Sequence, residues 1–274
     1  MMNPNRTPLL MRAFLPVSLV FVLFGCRTAD LRPEAWRDGG PPADAVARGA
    51  EAWERSLEAR GRAAAFTAQE LSVTATDLWS STFYRWFTPL ERNDADLRAG
   101  FALIEGNENV IVTLLPEGKI VGVVGGNAFA GQGGARKGAA LYAESLRVYT
   151  LLPFWRGEHV AYVGRDRWRG REFDVVWGSA SAELSDEVDQ YLFWIDPRNQ
   201  NVVRIDFTYR DLWDSYQGTL AYYEYELDES IVFPRRIQIL DSPDDAEFVH
   251  EIRLHTLEWL RAEESDEPGE NAEG

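Results

Sequence analysis

Cysteine is nearly absent from this chain: Cys26 is the only one in 274 residues. An internal disulfide is therefore excluded, and so is a cysteine cluster around a metal. No apolar run reaches the roughly 20 residues that a helix needs to cross a bilayer. The run at residues 13–25 falls short of that length. Basic residues are outnumbered, with 28 Lys+Arg against 44 Asp+Glu and a formal charge of −16. Nucleic acid is an unsuitable partner for such a chain, because phosphates need a basic stripe. Electrostatic adsorption to an anionic membrane is disfavoured for the same reason.

What is present begins at the N-terminus. Arg6 and Arg12 are the only charged residues before position 26, and both precede the apolar run. A basic head followed by a short apolar stretch is the physical form of a secretion signal, with Met11 as an alternative start. The run ends Leu23-Phe24-Gly25-Cys26. This resembles the lipobox of bacterial lipoproteins, where the cysteine after a small residue is acylated and becomes N-terminal. The resemblance implies loss of residues 1–25 and membrane attachment through lipid on Cys26. It also implies an envelope address, and Arg27 in place of aspartate implies the outer membrane, facing the periplasm. Two acyl chains make such an anchor stable where one would be reversible. The alternatives are a secreted protein with an incidental thiol, or an uncleaved anchor.

Residues 26–44 carry Arg32-Pro33 and Gly39-Gly40-Pro41-Pro42, the composition of a tether. Residues 262–274 hold six acids and no apolar anchor, which reads as a disordered tail. Between them, 45–261 is expected to be one domain. Val46, Ala50, Trp53 and Leu57 form one helical stripe over 45–60, with Gly61 as its C-cap. A second helix is expected over 138–152, with Leu141, Ser145, Val148 and Leu152 on one stripe and Tyr142, Leu146 and Tyr149 beside it. Pro153 stops it. Elsewhere the period is two. Val203, Ile205, Phe207 and Tyr209 alternate with polar residues, as do Ala221, Tyr223, Tyr225 and Leu227, implying one dry and one wet face. Asp196-Pro197-Arg198-Asn199 reads as a turn. About nine or ten strands with so few helices point to an α+β fold with an antiparallel sheet, strongly curled because it is too wide to stay open.

With those elements placed, Tyr149-Thr-Leu-Leu-Pro-Phe154, Tyr162-Val-Gly164, Tyr191-Leu-Phe-Trp-Ile-Asp-Pro197 and the strand from Val203 to Tyr209 resemble the LolA/LolB superfamily of periplasmic lipoprotein carriers. The resemblance implies a strongly curved antiparallel sheet, an incomplete barrel, with helices covering a concave apolar face that binds acyl chains or a lipoprotein cargo. On that implication Trp86, Phe87, Tyr142, Tyr149, Trp177 and Trp194 are the candidate ligand contacts, although core filling is the ordinary role for each. The aromatic segment from Trp79 to Phe87 is the nearest match to a membrane-facing loop. No cofactor is implied.

Catalytic signals are weak. His250 and His255 are five apart, whereas two zinc-binding histidines on a helix are four apart, and in a strand five places them on opposite faces. The glycine-rich stretch from Gly125 to Gly134 lacks the lysine-serine pair of a phosphate loop. With 44 acids, a chance carboxylate pair carries no information. A non-enzymatic, membrane-tethered binder of a hydrophobic ligand is the leading reading. An interaction lipoprotein with a filled core is the second, and an envelope hydrolase the third.

Overall fold

A computed structural model describes residues 28–81, 89–104, 107, 109–125, 134–185, 187–210, 215–245 and 247–261. Cys26, Trp86, Phe87, most of the glycine-rich stretch and the acidic tail lie outside the described residues. Three α-helices are described: α1 (Ala43–Ala59), α2 (Arg62–Thr67) and α3 (Gly134–Leu151). Short 3-10 turns lie at Glu34–Trp36 and Leu152–Phe154, the second at Pro153, where the expected stop falls. The first six strands are β1 (Glu70–Trp79), β2 (Asp94–Ala102), β3 (Val110–Leu115), β4 (Lys119–Val124), β5 (His159–Trp168) and β6 (Arg171–Ser179). The rest are β7 (Gln190–Ile195), β8 (Val202–Thr208), β9 (Gln217–Asp228), β10 (Ile231–Leu240) and β11 (His250–Leu260).

The α+β class holds, but the incomplete barrel does not. All eleven strands form one open antiparallel sheet in the order β4-β3-β2-β1-β11-β10-β9-β8-β7-β6-β5, neither closed nor strongly curled. Curling is what nine or ten strands suggest on width alone, since so wide a sheet seldom stays open. Here the two edges are covered by helices instead, which blunts them without closure. Helix α1 lies on β5 and α3 lies on β4. Each contact is made at a glycine. A Cβ on Gly49 would come within 2.5 Å of the Ala161 Cα, and one on Gly122 within 2.9 Å of the Ala139 carbonyl oxygen.

Gly49 is thus a test of the α1 seat. Glycine to alanine inside a helix ordinarily gains up to about 1 kcal/mol. Here the added carbon meets strand backbone that cannot step aside, so Gly49→Ala is expected to lose about 1–3 kcal/mol. Urea unfolding decides it, and an equal or higher midpoint would remove the backbone-to-backbone seat.

The close approach also rotates α1 from the expected stripe. Ala45, Gly49, Ala52, Trp53, Ser56 and Leu57 are buried, while Val46 stays 41% exposed. Trp53 packs on Phe193 with centroids 4.3 Å apart. On this side of the sheet lies the main core, built by Leu71, Phe101, Phe193, Ile205, Phe233 and Ile252 with the helices above them. Fully burying each such side chain contributes roughly 1.5–3 kcal/mol.

The opposite side is wet only over part of its width. Across β1 and β11 it carries a polar ladder in which Thr74 meets Thr256 at 2.7 Å and Thr76 meets His255 at 2.8 Å. Further along, a second apolar cluster of Trp168, Phe173, Val175, Trp194 and Leu240 is buried, and the Trp168 indole donates to the Pro243 carbonyl at 2.8 Å. Hence the expected dry–wet alternation of β8 fails. Arg204 and Asp206 are buried with the rest and satisfy each other: the guanidinium forks onto Asp206 at 2.8 and 2.7 Å. The Trp194 indole and the Thr219 hydroxyl complete the carboxylate's shell at 2.9 and 2.8 Å. In β9, Glu224 has a φ of 57°, which breaks the alternation, so Tyr222 and Tyr225 share the main core and Leu227 is 69% exposed.

The segment expected as a tether packs on the body. Ala29, Arg32 and Trp36 are buried, and Trp36 joins Ala45, Ala161 and Trp177 in a third small cluster.

Candidate functional site

A cleft of about 620 Å³ opens between the helices and the sheet. Its walls come from five places: α2 with Phe66, the end of α3 with Arg147, Val148 and Leu151, the 3-10 turn with Trp155 after it, the β2–β3 connection with Leu103 and Ile104, and the sheet with Tyr191 and Trp259. Pro153 sets this shape. It stops α3 and turns the chain so that Phe154 stacks on Phe233 at 5.8 Å while Trp155 meets Tyr191 at 5.5 Å. Among the described lining residues there is no carboxylate, imidazole, thiol or aliphatic hydroxyl.

Two guanidinium groups border the apolar walls. Arg147 pairs with Glu144 one turn back, Nε to Oε2 at 2.9 Å. Arg156 lies 3.9 Å over the Phe66 ring, its stem along the apolar wall and its charge at the edge. Burial pushes the Tyr191 phenol up, the Asp189 charge adds to that, and Arg147 opposes it. Tyr191 therefore stays neutral through the physiological range, as a wall of an apolar cleft should.

Beneath α3 is a buried polar cluster. Asp77 of β1 is fully buried and its Oδ2 accepts from the Tyr142 hydroxyl at 2.7 Å, with the His250 Nε2 2.8 Å away. Trp79 stacks on His250 at 4.0 Å. Burial raises the Tyr142 phenol well above its ordinary range, and the charge and hydrogen bond of Asp77 add to it. The cluster fixes α3, one wall of the cleft, to β1 and β11. His250 and His255 fall on opposite faces of β11, one buried and one exposed, so they cannot share a metal. Among the described residues no group of three His, Cys, Asp or Glu side chains could hold a metal ion.

The described candidates from the sequence are not gathered in one place. Tyr142 is committed to Asp77, and Tyr149 packs edge-on to Phe207 at 6.1 Å. Trp177 and Trp194 lie on the other side of the sheet, Trp177 under the N-terminal segment and Trp194 beside Arg204 and Asp206. Trp177 also floors a second cavity of about 830 Å³ there, next to His159 and Glu158. Trp86 and Phe87 fall outside the described residues. The cleft's own aromatics, Phe66, Trp155, Tyr191 and Trp259, were not singled out by spacing. The one available signal was the Pro153 stop, since residues just after a helix end are free to turn into a cleft. Among the described residues no helix is long and apolar enough to cross a membrane.

No family model and no curated protein sequence matches this chain. Among solved structures it is similar to a domain from Vibrio parahaemolyticus named for outer membrane lipoprotein sorting, at 9% identity over 80% of this chain and 95% of that one, with a TM-score of 0.46. A DUF1329 family protein from Desulfovibrio piger is similar at 11% identity over 79% and 94% of the two chains, TM-score 0.49. A LolA superfamily protein from Nitrosomonas europaea is similar at 14% identity over 78% and 93%, TM-score 0.44.

Proposed function

We propose that this chain is a lipid-anchored, non-catalytic protein of the cell envelope that holds an apolar ligand, an acyl chain or the lipidated end of a partner, in the cleft. The lipid sits on Cys26 and the address is the outer membrane, facing the periplasm. The cleft carries the reading. Its volume of about 620 Å³ falls within the roughly 300–1,000 Å³ of ligand pockets. Its lining offers dispersion contacts and two guanidinium groups rather than a nucleophile and a base. An acyl chain suits such walls, with its polar head at the rim where the two arginines lie.

The energetics give a sharp test. Each buried methylene contributes about 0.8 kcal/mol, close to a fourfold gain in affinity. Ten of them supply roughly 8 kcal/mol against association costs of at least about 4 kcal/mol. Binding of fatty acids to residues 28–261 should therefore tighten about fourfold per added methylene until the cleft is full. Val148→Trp, which fills the space from α3, should weaken a long-chain fatty acid at least tenfold with an unchanged unfolding midpoint. Affinity independent of chain length, or undiminished in that variant, would sink the reading.

A further inference from the structure

We infer that the end of the sheet beside Thr28 is the membrane-facing surface of the protein, held against the bilayer by the lipid on Cys26 with no spacer between them. The inference rests on the lipidation reading above and adds a fixed orientation to it. Its first support is how few residues separate Cys26 from the docked segment. Thr28 is two residues from Cys26, so the anchor lies within about 7 Å of it. From Ala29 onward the chain is docked. The Ala29 carbonyl accepts from Arg210 at 2.5 Å, and the Leu31 amide donates to the Gln190 side chain at 2.7 Å. Arg32 forks onto Asp30 with both contacts at 3.0 Å, and Trp36 is buried against Trp177 and Ala161. A flexible linker of the eighteen or so residues before α1 would leave the body about 20 Å of play. The docked segment removes it.

The second support is the surface itself. Thr28, Asp30 and Arg37 border a groove of about 500 Å³ with Leu184, Ser215 and Gln217, and Leu184 is 40% exposed. Asp30 stands between Arg32 and Arg37 at 3.0 and 3.9 Å, so the groove offers one spare positive charge to a headgroup phosphate, while the chain as a whole is acidic and disfavours an anionic surface. The occupant this fits is therefore a zwitterionic phospholipid surface, gripped by the anchor rather than by charge. Gln217 opens β9, which runs 12 residues to Asp228 before the turn at Ser230. At about 3.3 Å per residue, Ser230 lies up to roughly 40 Å from Gln217. The β2–β3 connection and Trp259, two walls of the cleft, belong to that remote end, because Glu70 pairs with Ala102 and Leu260 there.

The experiment uses the full-length acylated protein in phosphatidylcholine vesicles carrying a headgroup nitroxide quencher. A fluorophore is placed at Gln217→Cys or at Ser230→Cys. Quenching at 217 should exceed that at 230 at least fivefold, and ten Gly/Ser residues inserted between Arg27 and Thr28 should abolish the difference. Equal quenching at both positions in vesicle-bound protein would overturn the orientation while leaving the anchor in place. Protein that co-sediments with vesicles no better than Cys26→Ser would instead remove the lipidation reading, and this inference with it.

Discussion

Arg60→Met is expected to lower the stability of the folded chain by about 3 kcal/mol, or roughly 6–12 °C in Tm for a domain of this size. Arg60 is fully buried, and among the described residues no carboxylate pairs with it. Its Nε donates to the Ser56 carbonyl at 3.0 Å, one terminal nitrogen to the Pro153 carbonyl at 2.5 Å and the other to the Ser56 hydroxyl at 3.2 Å. Its charge also faces the rings of Phe154 and Trp53 at 5.0 and 5.6 Å. Two effects oppose each other. Burial pulls its pKa down from the usual guanidinium range to about 10, so keeping it charged costs about 3 kcal/mol, which methionine would recover. Three hydrogen bonds from a charged donor contribute roughly 1.5–3 kcal/mol each, and methionine loses them all while stranding the Pro153 carbonyl. The hydrogen bonds win. The guanidinium ties α1 to the turn that shapes the cleft, so fatty-acid affinity should fall along with Tm. An unchanged midpoint in the methionine variant would show that packing alone holds this corner.

Alkali is expected to unfold the protein cooperatively between about pH 11 and 12. Burial raises the phenols of Tyr142, Tyr149, Tyr191, Tyr222 and Tyr225 above the ordinary value of 10. A group whose pKa is raised by folding contributes its full stability below its unfolded value. That contribution is lost as pH climbs from there toward the folded value. Each phenol that stays protonated costs about 1.4 kcal/mol per pH unit above 10, so five cost roughly 7 kcal/mol by pH 11. Arg60 works the other way. Its folded pKa is depressed to about 10, so it returns at most about 3 kcal/mol as pH rises above 10. The tyrosines prevail, against a total stability of roughly 5–15 kcal/mol. Absorbance at 295 nm should show at most five of the ten tyrosines ionising before the far-ultraviolet dichroism collapses, and the rest with it. Smooth titration of all ten near pH 10 with the fold intact would refute the buried placement.

The sequence made the class and most elements legible because they follow from local periods. Helices α1 and α3, the Pro153 stop and the turn at Asp196 all fall where spacing places them, and His250 and His255 separate across a strand as a period of two demands. The sheet's form was hidden because it depends on Gly49 and Gly122, whose role is what they lack, a Cβ at a backbone crossing. Burial of Arg204 and Asp206 was hidden too. Their alternation marks a surface face, and only a long-range layer over β8 turns it into a second core. The cleft was the least legible part. Its walls come from five segments far apart in the chain, and its arginines and aromatics follow no common period.

The pairing of β1 with β11 governs when the two halves of the sheet become one. These two strands stand fourth and fifth in the eleven-stranded order, with Thr74 and Thr256 182 residues apart. Until the last strand arrives, the β1–β4 meander and the β5–β10 meander each carry one open edge of exactly the kind that other chains can pair with. Contacts this distant in sequence form slowly, since the loop must close before any contact repays it. A chain built this way completes its single sheet only once its C-terminal strand is in place. Truncation before residue 250 removes that keystone, leaving two half-sheets rather than a shorter version of one.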